Sequence, residues 1–293
     1  MAAAELDHEI RGLAIVSRNN ASRTAEIQAE MKVHLPHVEC VAPNSLEELS
    51  QVVRQSAGTA DLVVAVGGDG TLHRVLNACD PERQILGILP MGTGNDFARQ
   101  IGYSGVLADR VWQLSTLKPR PTDFGTVAGH RYINSAGLGL DSATLARRLR
   151  MNPLLARNYT LAFCITLAGL QPIVGSVTAG DFRRRGRFWW LLAMNNIHIG
   201  GGTPVAPRAQ IDDGRLDMLL IDCIPKPSVL TLMPSAMRGR HLGRPGVNYD
   251  QYRRITLSLE QSQQWLALDG ELHPLEASEL VFECHAGALK FLR

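Results

Sequence analysis

The stretch VVAVGGDGTLHRV, residues 63–75, decides how the first half of the chain is read. An apolar β-type run stops at GGDGT, and a helical pattern begins at once. A helix N-terminus exposes unpaired backbone N–H groups and the positive end of the helix dipole, so it attracts phosphate. Gly67, Gly68 and Gly70 are expected to let the backbone approach that phosphate and to adopt positive φ, while Thr71 caps the helix or bonds a phosphate oxygen. Asp69 is the odd member, because a carboxylate beside phosphate is repulsive unless a metal or a proton transfer needs it. A GGxG turn taken alone is equally well a plain strand-to-helix connection with Asp69 on the surface.

Outward from this turn the pattern repeats. GLAIVS (residues 12–17), DLVVAV (61–66) and QILGILP (84–90) read as buried strands. Residues 23–35 and 44–58 read as helices, the second opened by Ser45 and Glu48 as a capping box. Short helices follow at residues 71–78 and 96–101, with a longer one near residues 106–117. Strand and helix in alternation predict a parallel sheet covered on both sides. The third strand also ends in a glycine turn, MGTGND (residues 91–96), and ligands collect at the carboxyl ends of strands in open α/β sheets. Two such turns on successive strands point to a phosphate-binding crevice. Neither is a Walker A loop or a full GxGxxG fingerprint.

The texture changes after residue 125. Two short strands around Gly129 and His130 precede a helical region over residues 142–170, and the remainder reads as short β-type runs between turns. The expected division is an α/β domain over residues 1–125 and a β-rich domain over 126–293, whose last strand could return to the first domain. With 293 residues, 45% hydrophobic and 20% charged, the composition is that of a soluble globular protein. A net charge of +2 gives no case for nucleic acid. Five scattered cysteines without a CxxC pair fit reduced thiols in a cytoplasmic protein. The opening MAAAELDHEIRG does not read as a signal peptide, and the longest apolar run, residues 161–174, is too short to span a bilayer. Membrane contact is therefore expected to be peripheral.

Five ordered motifs carry a resemblance: GGDGT (67–71), LPMGTGNDFAR (89–99), PTDFG (121–125), GGTPVAPRAQIDDGRLDMLLI (201–221) and LDGE (268–271). Together they resemble the bacterial lipid kinases of the diacylglycerol kinase catalytic-domain family, which includes sphingosine and ceramide kinases. The resemblance implies a phosphofructokinase/NAD kinase-like α/β nucleotide domain, a β-rich lipid-substrate domain, and an active site in the cleft between them. It implies an ATP- and magnesium-dependent transfer of the γ-phosphoryl group to a hydroxyl of a lipid such as diacylglycerol, and with it a place in phospholipid metabolism. ATP phosphates would be held by Gly67, Gly68, Gly70 and Thr71, helped by Gly92, Thr93 and Asn95. Asp69 and Asp96 would organise Mg2+, Asp123 would lie near the acceptor hydroxyl, and Asp269 with Glu271 would supply the general base, Asp269 ahead of Asp69. A second, structural divalent cation would sit at Asp213 and the carbonyls of Gln210 and Arg215. The first strand departs from the family pattern. VSRNNASR replaces an Asn-Pro or Asn-Gly turn, which leaves Ser17 and its neighbours to Ser22 the weaker nucleotide contacts.

Plain readings stand beside these. Asp212-Asp213-Gly214 is good turn chemistry, and Asp269-Gly270 is an ordinary hairpin turn. Arg183, Arg184, Arg185 and Arg187 before Phe188 read first as an exposed hairpin and second as an anionic-lipid patch. Residues 145–170 would either lie on a membrane surface or line the cleft for an acyl chain. His34 and His37 have the spacing of one helix face but no third ligand. The alternatives to a lipid kinase are an NAD kinase-like phosphotransferase, which shares the GGDGT turn, and a non-catalytic nucleotide or lipid sensor on the same scaffold. Exposed strand edges in the second domain could pair two copies into a homodimer.

Overall fold

A computed structural model describes residues 10–152, 159–261, 263 and 265–293 of the chain. It contains two compact units: the residues up to Phe124 together with Ala286–Arg293, and Gly125–His285.

In the first unit, β1 (Gly12–Val16), β2 (Val38–Val41), β3 (Leu62–Gly67) and β4 (Ile85–Pro90) lie parallel in the order β4-β3-β1-β2. Every residue of β1 and β3 is buried, as a strand covered by helices on both faces requires. The covering helices are α1 (Thr24–His34), α2 (Leu46–Ser56), α3 (Asp69–Ala78), α4 (Asp96–Ile101) and α5 (Leu107–Thr116). Ile27 and Met31 of α1 pack with Val111 and Leu114 of α5 against Ala14, Val64 and Val66 of the sheet. Each such side chain stabilises the fold by about 1.5–3 kcal/mol on burial. Ser45 caps α2 by accepting the Glu48 N–H, while Glu48 reaches back one residue further than a capping box, to the Asn44 N–H. Two local expectations change. Strand β2 was not anticipated, because VECV is a four-residue edge strand with only Val38 buried and carries little apolar signal. His37 lies beyond the end of α1, so it shares no helix face with His34.

β5 (Pro119–Val127) leads from the first unit into the second. The second unit comprises β6 (His130–Tyr132), β7 (Ser135–Gly139), α6 (Leu140–Arg148), α7 (Tyr159–Gly169), β8 (Ile173–Ala179), β9 (Phe182–Met194), β10 (His198–Ile199), β11 (Thr203–Pro204), β12 (Leu216–Asp222), α8 (Lys226–Ala236), β13 (Val247–Tyr252), β14 (Arg254–Leu259), β15 (Trp265–Leu268), β16 (Glu271–Pro274) and most of β17 (Glu279–Leu292). Its strands pair antiparallel. The 13-residue β9 organises them, its first half beside β8 and its second half between β7 and β12. The far end of β17 belongs to the first unit, where Lys290 and Phe291 pair in parallel with Ile85 and Leu86 and Phe291 meets Phe97 edge-on at 4.8 Å. An α/β unit with a parallel sheet and a β-rich unit are the architecture expected from the sequence.

The helical region expected over residues 142–170 is α6 and α7, and residues 153–158 between them lie outside the described residues. The arginine run forms an exposed hairpin, as its plain reading expected. Arg184 pairs with Asp222 and Arg185 with Glu260, each at 2.9 Å. All five cysteines are free thiols. Among the described residues no helix is long and apolar enough to cross a membrane.

Candidate active site

In the first unit the sequence-predicted residues gather where β1, β3 and β4 end. β3 runs into Gly68, the N-cap of α3, and the Thr71 and Leu72 N–H groups bond the Gly68 carbonyl. β4 runs into Gly92, and the Met91 N–H donates to the Gly67 carbonyl at 2.8 Å, which joins the two turns. A Cβ built on Gly92 would stand 2.4 Å from the Gly68 Cα, and one on Gly67 would stand 2.4 Å from the Thr71 Oγ1. These glycines are therefore needed for close approach of chain to chain. The expected positive φ is corrected: Gly67, Gly68, Gly70 and Gly92 all lie outside the left-handed region. Asn95 takes the left-handed conformation instead, at φ 52. Its side chain braces the turn in both directions, accepting the Gly92 N–H and donating to the Gly92 carbonyl. Thr93 is exposed at the tip of that turn.

Asp69 has a structural task that sequence reasoning missed. Its Oδ2 accepts the Asp96 N–H at 2.9 Å and its Oδ1 the Phe97 N–H at 3.1 Å, which holds the start of α4 against the start of α3. Asp96 follows directly and is buried. Ser17 ends β1 beside Gly67, donating its N–H to the Val66 carbonyl and accepting from the Asn20 amide. Asp123 is buried on β5 and accepts the Gly287 N–H at 2.6 Å, so it secures the returning C-terminal segment.

These residues fit a nucleotide with its magnesium. Two backbone turns whose approach a methyl group would block surround the N-terminus of a ten-residue helix, and two carboxylates, Asp69 and Asp96, stand on the same turns.

In the second unit, Asp269 and Gly270 form the two-residue turn between β15 and β16, with φ 48 and 86. Positive φ at both positions is the type I′ turn that suits strand twist. The buried Asp269 carboxylate accepts three backbone N–H groups: Ile133 at 3.0 Å, Asn134 at 2.7 Å and Ser135 at 3.0 Å. The Asp269 N–H in turn donates to the Ser135 carbonyl. Glu271 is half-buried at the first position of β16.

The IDDG loop bears out its turn chemistry, with Gly214 at φ 73 and Asp213 Oδ1 accepting the Arg215 N–H. The Gln251 amide bridges Asp213 Oδ2 and Asp217 Oδ2 at 3.0 and 3.2 Å. Burial pushes the Asp217 carboxyl up to about 6, and the neighbouring Asp213 charge adds to it, against hydrogen bonds from Tyr249 and Gln251 that favour the anion. The two carboxylates share one side-chain amide, which occupies an oxygen of each. Gln210 and Arg215 are exposed on the same loop, and among the described residues no three His, Cys, Asp or Glu side chains cluster as metal ligands.

Two features of this unit were not singled out in the sequence. The first is an apolar cavity of about 320 Å³, walled by residues such as Leu140, Phe163, Trp190, Leu219, Val229 and Met233. Its size and lining suit an acyl chain or another apolar group. His241 is buried in its wall with Nε2 3.0 Å from the Val205 carbonyl, and burial lowers its basicity against that hydrogen bond. The second is Asp141, buried at the start of α6, whose carboxyl is pushed up to about 7 by desolvation against the Ser142 N–H and the Trp190 indole. Its sequence context, GLGLDSA, shows only an acid in the first turn of a helix, and burial is invisible there.

A family profile described as the diacylglycerol kinase catalytic domain matches residues 17–127, and one described as the YegS C-terminal NAD kinase beta sandwich-like domain matches residues 134–293. Diacylglycerol kinase of Bacillus subtilis (strain 168) is 29% identical over 227 residues, covering 75% of this chain and 74% of that one. "Probable lipid kinase YegS-like" of Pseudomonas savastanoi pv. phaseolicola is 34% identical over 234 residues, covering 78% and 74%. A crystal structure of a diacylglycerol kinase from Bacillus anthracis str. Sterne superposes with a TM-score of 0.73 over 96% of both chains, and at 17% identity that likeness concerns the fold alone. With both profiles matched in order along one chain whose fold agrees, the protein belongs to the diacylglycerol kinase catalytic-domain family of lipid kinases.

Proposed function

We propose that the protein transfers the γ-phosphoryl group of ATP to a hydroxyl of a lipid such as diacylglycerol, with magnesium and at a membrane surface. The observation that carries the reading is the pair of glycine turns at Gly68 and Gly92, packed backbone to backbone and tied by Asp69. Such turns offer N–H groups to phosphate oxygens, with Thr71 and Asn95 completing the bed and Ser17 beside it. Magnesium on Asp69 and Asp96 would neutralise the phosphates. Asp269 takes the hydroxyl proton, and Glu271 and Asp123 are the further acids assigned to the acceptor. The apolar cavity of the second unit supports a lipid acceptor, and the IDDG loop would hold a structural divalent cation through Asp213.

The test is an extracted-lipid panel, with NAD included, incubated with labelled ATP. Label is expected in lipid, and Asp69→Asn is expected to reduce it by roughly a hundredfold with the fold intact by circular dichroism. Label in NAD would favour an NAD kinase. Tight ATP binding with no labelled product would favour a sensor.

A further inference from the structure

Two segments of the second unit contain no aspartate or glutamate: residues 142–180, which include α7, and residues 223–249, which include α8 and the loop after it. The chain has 28 acids in 293 residues, and neither α7 nor α8 contributes one to the surface it exposes. α7 reads YTLAFCITLAG and carries no charge on any side. A helix apolar all round is normally buried. Here Ala162, Phe163, Thr166 and Leu167 are buried, yet Leu161 and Ile165, four residues apart and so on one face, are 37% and 39% exposed. α8 repeats the arrangement, with Val229 buried and Leu230 41% exposed.

The two helices are joined. Lys226, the first residue of α8, donates its ammonium to the Ala168 and Leu170 carbonyls at the end of α7, at 2.7 and 3.2 Å. Immediately after α8, Arg238, Arg240 and Arg244 are exposed, and among the described residues none of them pairs with an acid. Beneath lies the apolar cavity, whose walls include Phe163 of α7 and Val229 and Met233 of α8. One pair of helices thus has an inner side facing a cavity and an outer side of exposed apolar residues bordered by unpaired cations. An anionic bilayer suits this combination, because arginines meet its phosphates while the apolar residues enter the acyl boundary.

We propose that the outer faces of α7 and α8, with the 238–244 loop, dock on an anionic lipid bilayer and place the cavity against the membrane from which its lipid comes. The lipid's entry rests on the lipid kinase reading, whereas the docking does not.

The test is flotation of the full chain with vesicles of phosphatidylcholine alone and of phosphatidylcholine mixed with phosphatidylglycerol. The unaltered protein is expected to float with the anionic vesicles. Arg238→Ala/Arg240→Ala/Arg244→Ala is expected to lose roughly a hundredfold in binding, about fivefold per arginine. Leu161→Glu/Ile165→Glu/Leu230→Glu is expected to stay unbound, and both variants to phosphorylate detergent-dispersed lipid as the unaltered protein does. Hydrogen exchange on the unaltered protein checks the surface without any variant, with vesicle-induced protection expected at residues 159–169 and 226–244. The proposal is overturned if the protein ignores anionic vesicles, if both variants float normally, or if protection falls elsewhere. A dimer that Leu230→Glu dissolves would give this face to a second copy and overturn it as well. Binding to vesicles with no lipid phosphorylated leaves the docking standing and removes the proposed function. Phosphorylation of dispersed lipid without vesicle binding does the reverse.

Discussion

Asp69 and Asp269 sit in the same dipeptide, Asp-Gly, at opposite ends of the chain, and the fold uses them differently. At Asp69-Gly70 the glycine has an ordinary φ, and the neighbouring glycines are small because two turns touch. At Asp269-Gly270 both residues are left-handed and a Cβ on Gly270 would meet open space, so backbone conformation rather than crowding favours glycine there. The carboxylates differ too. Half-buried Asp69 accepts two N–H groups from the start of α4, whereas buried Asp269 accepts three from residues 133–135. A residue expected to act in catalysis can therefore also hold the backbone, and its removal tests both roles together.

The largest effect is expected at Asp269. Asp269→Ala leaves three N–H groups without their acceptor and should cost about 3–5 kcal/mol by denaturant titration, since each buried unsatisfied group costs about 1–3 kcal/mol. Loss of activity in that variant is interpretable only with this measurement beside it. An unchanged midpoint would show that the 133–135 turn does not depend on the carboxylate.

Asp141 breaks the pattern in the opposite direction. Its Oδ1 makes no hydrogen bond, and burial raises its carboxyl from 3.8 to about 7. A folded-state value above the unfolded one means that the group's contribution is full at low pH and is lost as pH rises through about 7. Asp141→Asn should therefore stabilise the protein at pH 8 by up to about 4 kcal/mol, at about 1.4 kcal/mol per unit. The advantage should shrink on acidification and vanish near pH 4. Thermal melts across that range check it, and a variant less stable at pH 8 would mean that the Ser142 N–H and the Trp190 indole favour the anion by more than burial disfavours it.

The smallest effect on stability, and the sharpest on activity, is expected at Gly92. Gly92→Ala adds one methyl group 2.4 Å from the Gly68 Cα. Overpacking of this kind costs about 1–3 kcal/mol. Displacing the turn should reduce phosphoryl transfer by roughly a hundredfold. Normal turnover in this variant would separate the glycine contact from nucleotide binding.

Much of this was legible in the sequence because it depends on neighbours along the chain. VVAV before GGDGT, ILP before MGTGND, and the alternation of strand and helix around them follow from short-range hydrophobic pattern and turn chemistry, and the ordered motifs led to the family. β2 was missed because four residues with one buried valine carry too little pattern. The helix expected over residues 142–170 was not divided, although Asn152-Pro153 inside it is a breaker that the sequence offered. The reasons behind the motifs were legible only in part. Asp69 was read as a carboxylate explained by a metal or a proton transfer, and the glycines as residues chosen for approach to phosphate and for positive φ.

The sequence by itself determined the two-part architecture, the positions of the glycine turns and the membership in a lipid kinase family. Only the tertiary structure decided what each carboxylate does and where apolar walls enclose a cavity. The physical reason is distance along the chain. Asp69 meets its N–H partners 27 and 28 residues away, and Asp269 meets those of Asn134 and Ser135 at 135 and 134 residues. The desolvation that raises Asp141, and the cavity shared by α7 and α8, are properties of a packed volume to which no local stretch of sequence corresponds.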